Sequence, residues 1–254
     1  MLKKGLILLT IPLWLTGCVQ KEQSAPNNTH TQIKTQVSVS QTTATSTKTS
    51  YSTDSNKVEV VQNPESLSVL INKQNRLPEG YVPSDLVTPN IPYLDSQKEK
   101  RKMKKEAAAA IERLFAGAKE QGIILIGVSA FRSYQSQETL FNYYENQDGY
   151  QNAVTYSALP GTSEHETGLA IDVTGGNGKC AAEDCFAGTK EAKWLQDHVA
   201  DYGFIIRYPD NKTSITGYEY EPWHIRYVGT ALAKTIMSKG ITLEEYYNAV
   251  PIIN

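Results

Sequence analysis

Long hydrophobic runs are missing from this 254-residue chain. Its one sustained apolar stretch, Gly5 to Leu15, holds about eleven residues; a helix needs roughly twenty to cross a hydrocarbon core, so a permanent membrane span is the weaker reading. No sign of charge dominates either, since 25 Lys and Arg against 27 Asp and Glu leave a formal net charge of −2. Neutralising phosphates takes a basic surface that this balance does not supply, so nucleic acid is not an expected partner. Cysteine numbers three and histidine four, which leaves metal and thiol chemistry few residues to rest on. There is no internal repeat. The remainder is ordinary globular material, 40% hydrophobic and 20% charged, enough to bury a sizeable core.

The start of the chain has its own pattern. Lys3 and Lys4 precede the apolar stretch, and Leu15-Thr16-Gly17-Cys18 closes it, the layout of a secretory signal over residues 1–17. Its ending resembles the lipobox of bacterial lipoproteins, which implies cleavage before Cys18 and a lipid on its sulfur. Two acyl chains at ~0.8 kcal/mol per buried CH₂ anchor a protein stably, so an extracytoplasmic protein held to the bacterial cell membrane is expected. From Gln20 to Lys57 the chain is dominated by Ser, Thr, Gln and Asn, with one aromatic residue, Tyr51, and almost no large aliphatics. Such a stretch buries too little surface to offset its chain entropy. Residues 18–57 are therefore read as a disordered spacer, with a reach on the order of 35 Å as a flexible coil. Cys180 and Cys185 lie five apart in a Gly-, Ala- and Asp-rich stretch. In an oxidising compartment they read as a local disulfide, with free thiols or a metal site as the alternatives.

Order begins near Val58. Pro78, Pro83, Pro89 and Pro92 punctuate an extended segment expected to wrap the domain. The basic run Lys98 to Lys105 leads into a helix with Ile111, Leu114, Phe115 and Ala118 on one face and Gly122 as its stop; the run itself reads as a solvated side of that helix. Ile123 to Val128 and Leu169 to Val173 read as buried strands, with a helix through Gln137 to Tyr144 and a loop at Thr155 to Glu166 between them. Thr189 to Tyr202 is an amphipathic helix closed by Gly203. Two further strands, Phe204 to Tyr208 and Trp223 to Val228, precede a helix over Thr230 to Ser238. A last helix opens on the capping box Thr242 to Glu245. Helices and strands mix without a strict βαβ rhythm, so the fold class is α+β.

The histidines sort by position. His30 falls in the spacer and His198 beside an apolar helical stripe, which leaves His165 and His224. His165 stands in Ser163-Glu164-His165-Glu166-Thr167-Gly168, and Asp172 follows between Ile171 and Val173. A carboxylate at so apolar a position is costly unless it meets a cation, and Gly168 permits a tight backbone approach beside it. Two neutral imidazoles and one carboxylate form a three-ligand site with an open fourth position, the catalytic form of zinc. Glu221, three residues before His224, would face away from it in a regular strand. Pro222 instead suggests that the strand starts after Glu221, whose carboxylate then sits beside the metal without binding it. There it would take a proton from the attacking water and return it to the leaving amine.

Together Ser163-x-His165-x-x-Gly168-x-Ala170-x-Asp172 and Glu221-x-Trp223-His224 resemble the double signature of the VanY-type D-alanyl-D-alanine carboxypeptidases. That family also holds VanX-type dipeptidases and LdcB-type L,D-carboxypeptidases. Arg132-Ser133-Tyr134-x-x-Gln137 matches a third family motif, and the resemblance runs from about Leu77 to the C-terminal helix. It implies a single zinc-peptidase domain at 58–254, with a small, mainly antiparallel central sheet flanked by helices. His165, Asp172 and His224 would be the Zn²⁺ ligands and Glu221 the general base. Arg132 would stabilise the oxyanion or hold substrate, and Gln137 and Ser163 would contact substrate. Trp223 and Tyr227 would wall the cleft or belong to the core. The expected activity is removal of the terminal D-alanine from peptidoglycan stem peptides by a monomer. The D-Ala-D-Ala bond comes first, with the L,D bond of a tetrapeptide, or a non-catalytic zinc-containing module that binds wall peptides, as alternatives. Retention of Glu221 speaks against the last, because a structural zinc site is closed by a fourth ligand and has no use for a base.

Overall fold

The computed structural model describes residues 57–251. Cys18, His30, the expected signal segment and the spacer up to residue 56 lie outside the described residues. Two short pairings come first. β1 (Glu59–Val60) runs parallel to β2 (Asn75–Arg76), and β3 (Leu86–Val87) is antiparallel to β4 (Met103–Lys104). Pro64, Pro78, Pro83, Pro89 and Pro92 lack N–H donors and keep this segment from longer pairing. It wraps the domain through isolated main-chain bonds, Leu77 N–H to Gly161 O at 2.8 Å and Gly127 N–H to Pro92 O at 2.9 Å.

Within the basic run Lys98, Lys102 and Lys105 are exposed as expected, and Lys104 departs from that role. Residues Glu99–Arg101 form a 3₁₀ turn and the helix begins only at Lys105. Lys104 is 5% exposed, 2.8 Å from Asp85 and paired also with Glu65. The extended backbone of β4 turns this side chain inward, where two carboxylates neutralise it.

α1 (Lys105–Glu120) buries Ile111, Leu114, Phe115 and Ala118. It ends in a Schellman closure, with Gly122 at φ +75° and Ile123 N–H donating to Ala118 O at 2.9 Å. β5 (Leu125–Ser129) follows, then α2 (Tyr134–Asp148), whose cap Ser133 accepts from Ser136 N–H. An unforeseen short helix, α3 (Tyr150–Tyr156), buries only Ala153, so it carries no apolar stripe to read. Next come β6 (Ala170–Gly175), α4 (Lys190–His198), β7 (Phe204–Tyr208) and α5 (Thr213–Thr216). β8 (Glu221–Tyr227), α6 (Thr230–Lys239) and α7 (Leu243–Tyr247) complete the order, and α7 carries the Thr242–Glu245 capping box.

The central sheet has the order β5-β6-β8-β7 and every pairing is antiparallel. Strand side chains alternate, and the two faces divide accordingly. Ile171, Val173, Phe204, Ile206, Trp223 and Ile225 pack with α1 and α4 in the main apolar core. The opposite face carries Asp172, His224, Arg226, Ile205 and Arg207, with Ile205 packed against Ala233 and Ile236 of α6 and Leu243 of α7. That polar face is where the chemistry lies.

Candidate metal centre

Asp172 on β6 and His224 on β8 are direct cross-strand partners. His165 reaches them from the 3₁₀ turn Glu164–Thr167, which Gly168 ends in the left-handed region at φ +67°. A Cβ on Gly168 would stand 2.8 Å from Leu86 and 3.2 Å from the Lys104 backbone nitrogen, so only glycine brings this turn so close to β4. One ligand atom from each of His165, Asp172 and His224 falls within 4.8 Å of the others, and all three residues are buried. His165 Nδ1 lies 2.7 Å from Ala130 O. As the donor there it leaves Nε2 free, 3.4 Å from Asp172 Oδ2. His224 points Nδ1 at Asp172 Oδ1 at 3.0 Å and Nε2 at Glu164 Oε2 at 3.4 Å. The second contact makes Nε2 the protonated nitrogen and turns Nδ1 to the centre.

The electrostatics call for a cation. Burial pulls the His224 pKa down, but hydrogen bonds to Asp172 and Glu164 outweigh it and raise it to about 9. His165, buried against Arg132, is held below its ordinary value. Burial works against ionisation of Asp172, yet the two imidazoles beside it hold its carboxyl well below the usual range. A metal-free site therefore keeps a proton on His224, facing Asp172. Two nitrogens and one carboxylate oxygen suit zinc in that place, and metal and proton compete for it.

Glu164 escaped the sequence reading. It is fully buried and accepts from Arg207 Nε at 2.7 Å and Arg226 Nη1 at 2.6 Å while facing His224. Arg207 in turn forks onto Glu244 at 2.7 and 2.9 Å. Two permanent cations in otherwise apolar strands, Phe204 to Tyr208 and Trp223 to Tyr227, were the available signal, because such charges require buried carboxylates.

Glu221 differs from expectation in how it arrives. It is the first residue of β8, and the pairing register shifts between Ile206 and Tyr208, so that Glu221 pairs with Tyr208. A bulge of this kind re-aims side chains, and Glu221 Oε2 comes to 3.9 Å from His224 Nδ1. Burial raises the Glu221 pKa to about 8; His224 and Arg132 oppose the rise, while Asp172 and Glu164 add to it. Arg132 follows β5, with Nη1 donating to Gln137 Oε1 at 2.7 Å. Gln137 donates its own amide N–H to Ala158 O at 2.7 Å. Both ends of that buried amide are thus engaged within the protein, and it orients Arg132 instead of lining the cleft. Ser163 does line it. Trp223 packs in the main core and also touches the cleft, whereas Tyr227 packs on Phe204 and donates to Glu106 at 2.7 Å. His198 stacks on Trp194 and takes no part.

The centre opens into a cleft of about 330 Å³ that Arg132, Ser163, Tyr208, Tyr218, Glu221 and Trp223 help to wall. A larger groove of about 1020 Å³ runs on along α2 and shares Arg132, Tyr144, Asp172 and Ala182 with it. Cys180 and Cys185 form a disulfide, with sulfurs at 2.04 Å. Ala182 and Asp184, inside that small loop, edge the cleft.

The D-alanyl-D-alanine carboxypeptidase family VanY matches residues 100–230 of this chain. YodJ of Bacillus subtilis (strain 168) is 42% identical over 249 residues, covering 92% of this chain and 91% of that one. The solved structure of the LdcB LD-carboxypeptidase aligns with a TM-score of 0.72 and 46% identity, covering 77% of this chain and 92% of that one. A mutant of the vancomycin-resistance D,D-pentapeptidase VanY from a VanB-type resistance cassette, solved in complex with Zn(II), aligns with a TM-score of 0.58 and 33% identity over 72% of this chain and 98% of that one.

Proposed function

The chain belongs to the VanY family of D-alanyl-D-alanine carboxypeptidases, and from that premise we propose that it releases the terminal D-alanine of peptidoglycan stem peptides, with Glu221 as its general base. The observation that carries this reading is the convergence of His165, Asp172 and His224 on one point, with a carboxyl of raised pKa beside them at the mouth of a cleft. Zinc is the cofactor, and when bound it supplies the Lewis acidity that activates water and polarises the scissile carbonyl. A dication also lowers the pKa of a neighbouring carboxyl, which leaves Glu221 ionised and ready to accept. Glu221 then takes a proton from the attacking water and delivers it to the amine nitrogen as the C–N bond breaks. Arg132, held by Gln137, offers its remaining donors to the oxygen on which charge develops.

The family resemblance puts the D,D bond first with the L,D bond as the alternative, and the ligands and base serve both equally; the identities support the other order. Identity is 46% to an LD-carboxypeptidase and 33% to a D,D-pentapeptidase, so we take the L,D bond of a tetrapeptide as preferred and the D,D bond of a pentapeptide as the second reading. Mass spectrometry of both muropeptides, incubated with residues 58–254 with and without a chelator, tests this. Loss of one alanine from the tetrapeptide, blocked by chelation, is expected; loss from the pentapeptide alone reverses the order, and loss from neither refutes the enzyme reading. We also propose that Cys18 carries the lipid that holds a monomeric enzyme outside the cytoplasm, where its substrate is. The apolar stretch ending in Leu15-Thr16-Gly17-Cys18 supports that proposal.

A further inference from the structure

Tyr218 lies in the turn between α5 and β8 and is fixed from every side except one. Its N–H donates to Thr216 Oγ1 at 3.3 Å, and its carbonyl accepts from the same hydroxyl at 3.2 Å. Its ring lies against Tyr208 with centroids 4.6 Å apart, and Lys73 Nζ stands 4.7 Å from its centroid. Lys73 is itself tied down, donating to Val154 O at 2.8 Å and Gly217 O at 2.5 Å. The phenolic hydroxyl is the exception. It is buried in a residue 4% exposed, and among the described residues no group makes a hydrogen bond with it. Among the described residues one other buried side-chain atom shares this status, Asp85 Oδ1, and it sits 2.8 Å from the Lys104 ammonium.

A buried hydroxyl without a partner is destabilising, and a phenylalanine would fill the same ring position without that cost. The residue is one of those that line the cleft, as Arg132, Glu221 and His224 do, which makes a ligand seated in that cleft the partner to test. Burial, and then the nearby Glu221 carboxylate, hold the phenol well above its ordinary pKa. It keeps its proton and acts as a donor, and its complement is an acceptor oxygen.

We propose that Tyr218 is a substrate-contacting residue whose hydroxyl donates a hydrogen bond to an oxygen of the bound stem peptide, either the scissile carbonyl or the terminal carboxylate. This rests on the carboxypeptidase reading above. Neither oxygen is supplied by the protein, which leaves the donor free for the ligand.

The test is Tyr218→Phe in the zinc-loaded enzyme, with D-alanine release from tetrapeptide and pentapeptide muropeptides followed alongside thermal unfolding and zinc content. Losing a hydroxyl that has no protein partner leaves zinc content unchanged and holds or raises the unfolding temperature, while kcat/KM falls roughly 10-fold or more. A fall carried by kcat assigns the donor to the carbonyl oxygen, and a rise in KM with kcat retained assigns it to the terminal carboxylate. Retention of wild-type kcat/KM by an otherwise active enzyme overturns the proposal alone. A clear drop in unfolding temperature also overturns it, because the hydroxyl then has a partner inside the fold. If the wild-type enzyme releases alanine from neither peptide, the carboxypeptidase reading fails and takes this contact with it.

Discussion

Replacing Glu164 by Gln removes the one carboxylate that touches both buried arginines and a metal ligand. The local charges balance as they stand: Glu164 and Glu244 face Arg207 and Arg226, all four side chains being at most 1% exposed. Glutamine keeps the shape but leaves one uncompensated positive charge, and its amide can turn only one acceptor oxygen to the donors of Arg207, Arg226 and His224. Removing one partner from a buried ion pair costs about 3–5 kcal/mol. For a domain of this size each kcal/mol lowers the melting temperature by roughly 2–4 °C, so a fall on the order of 10 °C is expected. Glu164 also orients His224 through Nε2 at 3.4 Å. Loss of such an outer partner weakens metal binding roughly 10–100-fold, which competition with a chromophoric chelator reads directly. Glu244→Gln separates the two effects. It breaks the fork on Arg207 and the contact from Asn72 without touching His224, so stability falls while zinc affinity holds. If Glu164→Gln melts within ~2 °C of wild type and binds zinc equally well, the reasoning about this network is wrong.

Other perturbations address the remaining parts of the site. Glu221→Ala lowers kcat by roughly 10²–10⁴-fold, the usual contribution of a general base, with zinc content by metal analysis unchanged; loss of zinc as well means that Glu221 is a ligand. Zinc uptake at pH 7 releases at least one proton, because His224, with its pKa raised to about 9, is protonated in the metal-free site. Affinity accordingly rises as pH climbs towards 9 and falls about tenfold per unit below it; calorimetry in two buffers of different ionisation enthalpy checks the proton count. Replacing Cys180 and Cys185 together by Ser removes a short cross-link that contributes ~2 kcal/mol. It also raises KM more than it lowers kcat, since Ala182 and Asp184 edge the cleft, as steady-state kinetics would read. Cys18→Ser moves the protein from the membrane to the soluble fraction of fractionated cells; retention in the membrane refutes lipid anchoring at that residue.

The order of elements was legible because most of them are locally encoded. The Phe204–Tyr208 strand coincides with its apolar run. The helix of residues 189–202 carries its stripe, although its last turn tightens into 3₁₀ at Val199–Tyr202 before Gly203. Metal-ligand candidates stood out for a similar reason, as polar residues in apolar surroundings at motif spacing. What stayed hidden depends on pairing between distant segments. Lys104 looked solvated because Glu65 and Asp85, which neutralise it, lie 39 and 19 positions away. Glu221 looked as though it must precede the strand, because the irregular register of β7 against β8 that brings it to His224 belongs to two strands and to neither alone.

The same alternation that put Asp172 and His224 on one face of the sheet makes a stronger demand than a metal site. On β8 it carries Arg226 to the face of His224, and on β7 it carries Arg207 there too, both among apolar neighbours. A guanidinium does not shed its charge when buried, so two such residues require two carboxylates within reach. Glu164 and Glu244 are those groups. Glu164 immediately precedes His165, so the turn that delivers one ligand also delivers the carboxylate that aims another. His224 and Arg226, two apart on β8, then meet opposite edges of that single carboxylate, Oε2 and Oε1. The metal centre and the ionic core therefore share one carboxylate, and a change that displaces Glu164 must be felt at the zinc.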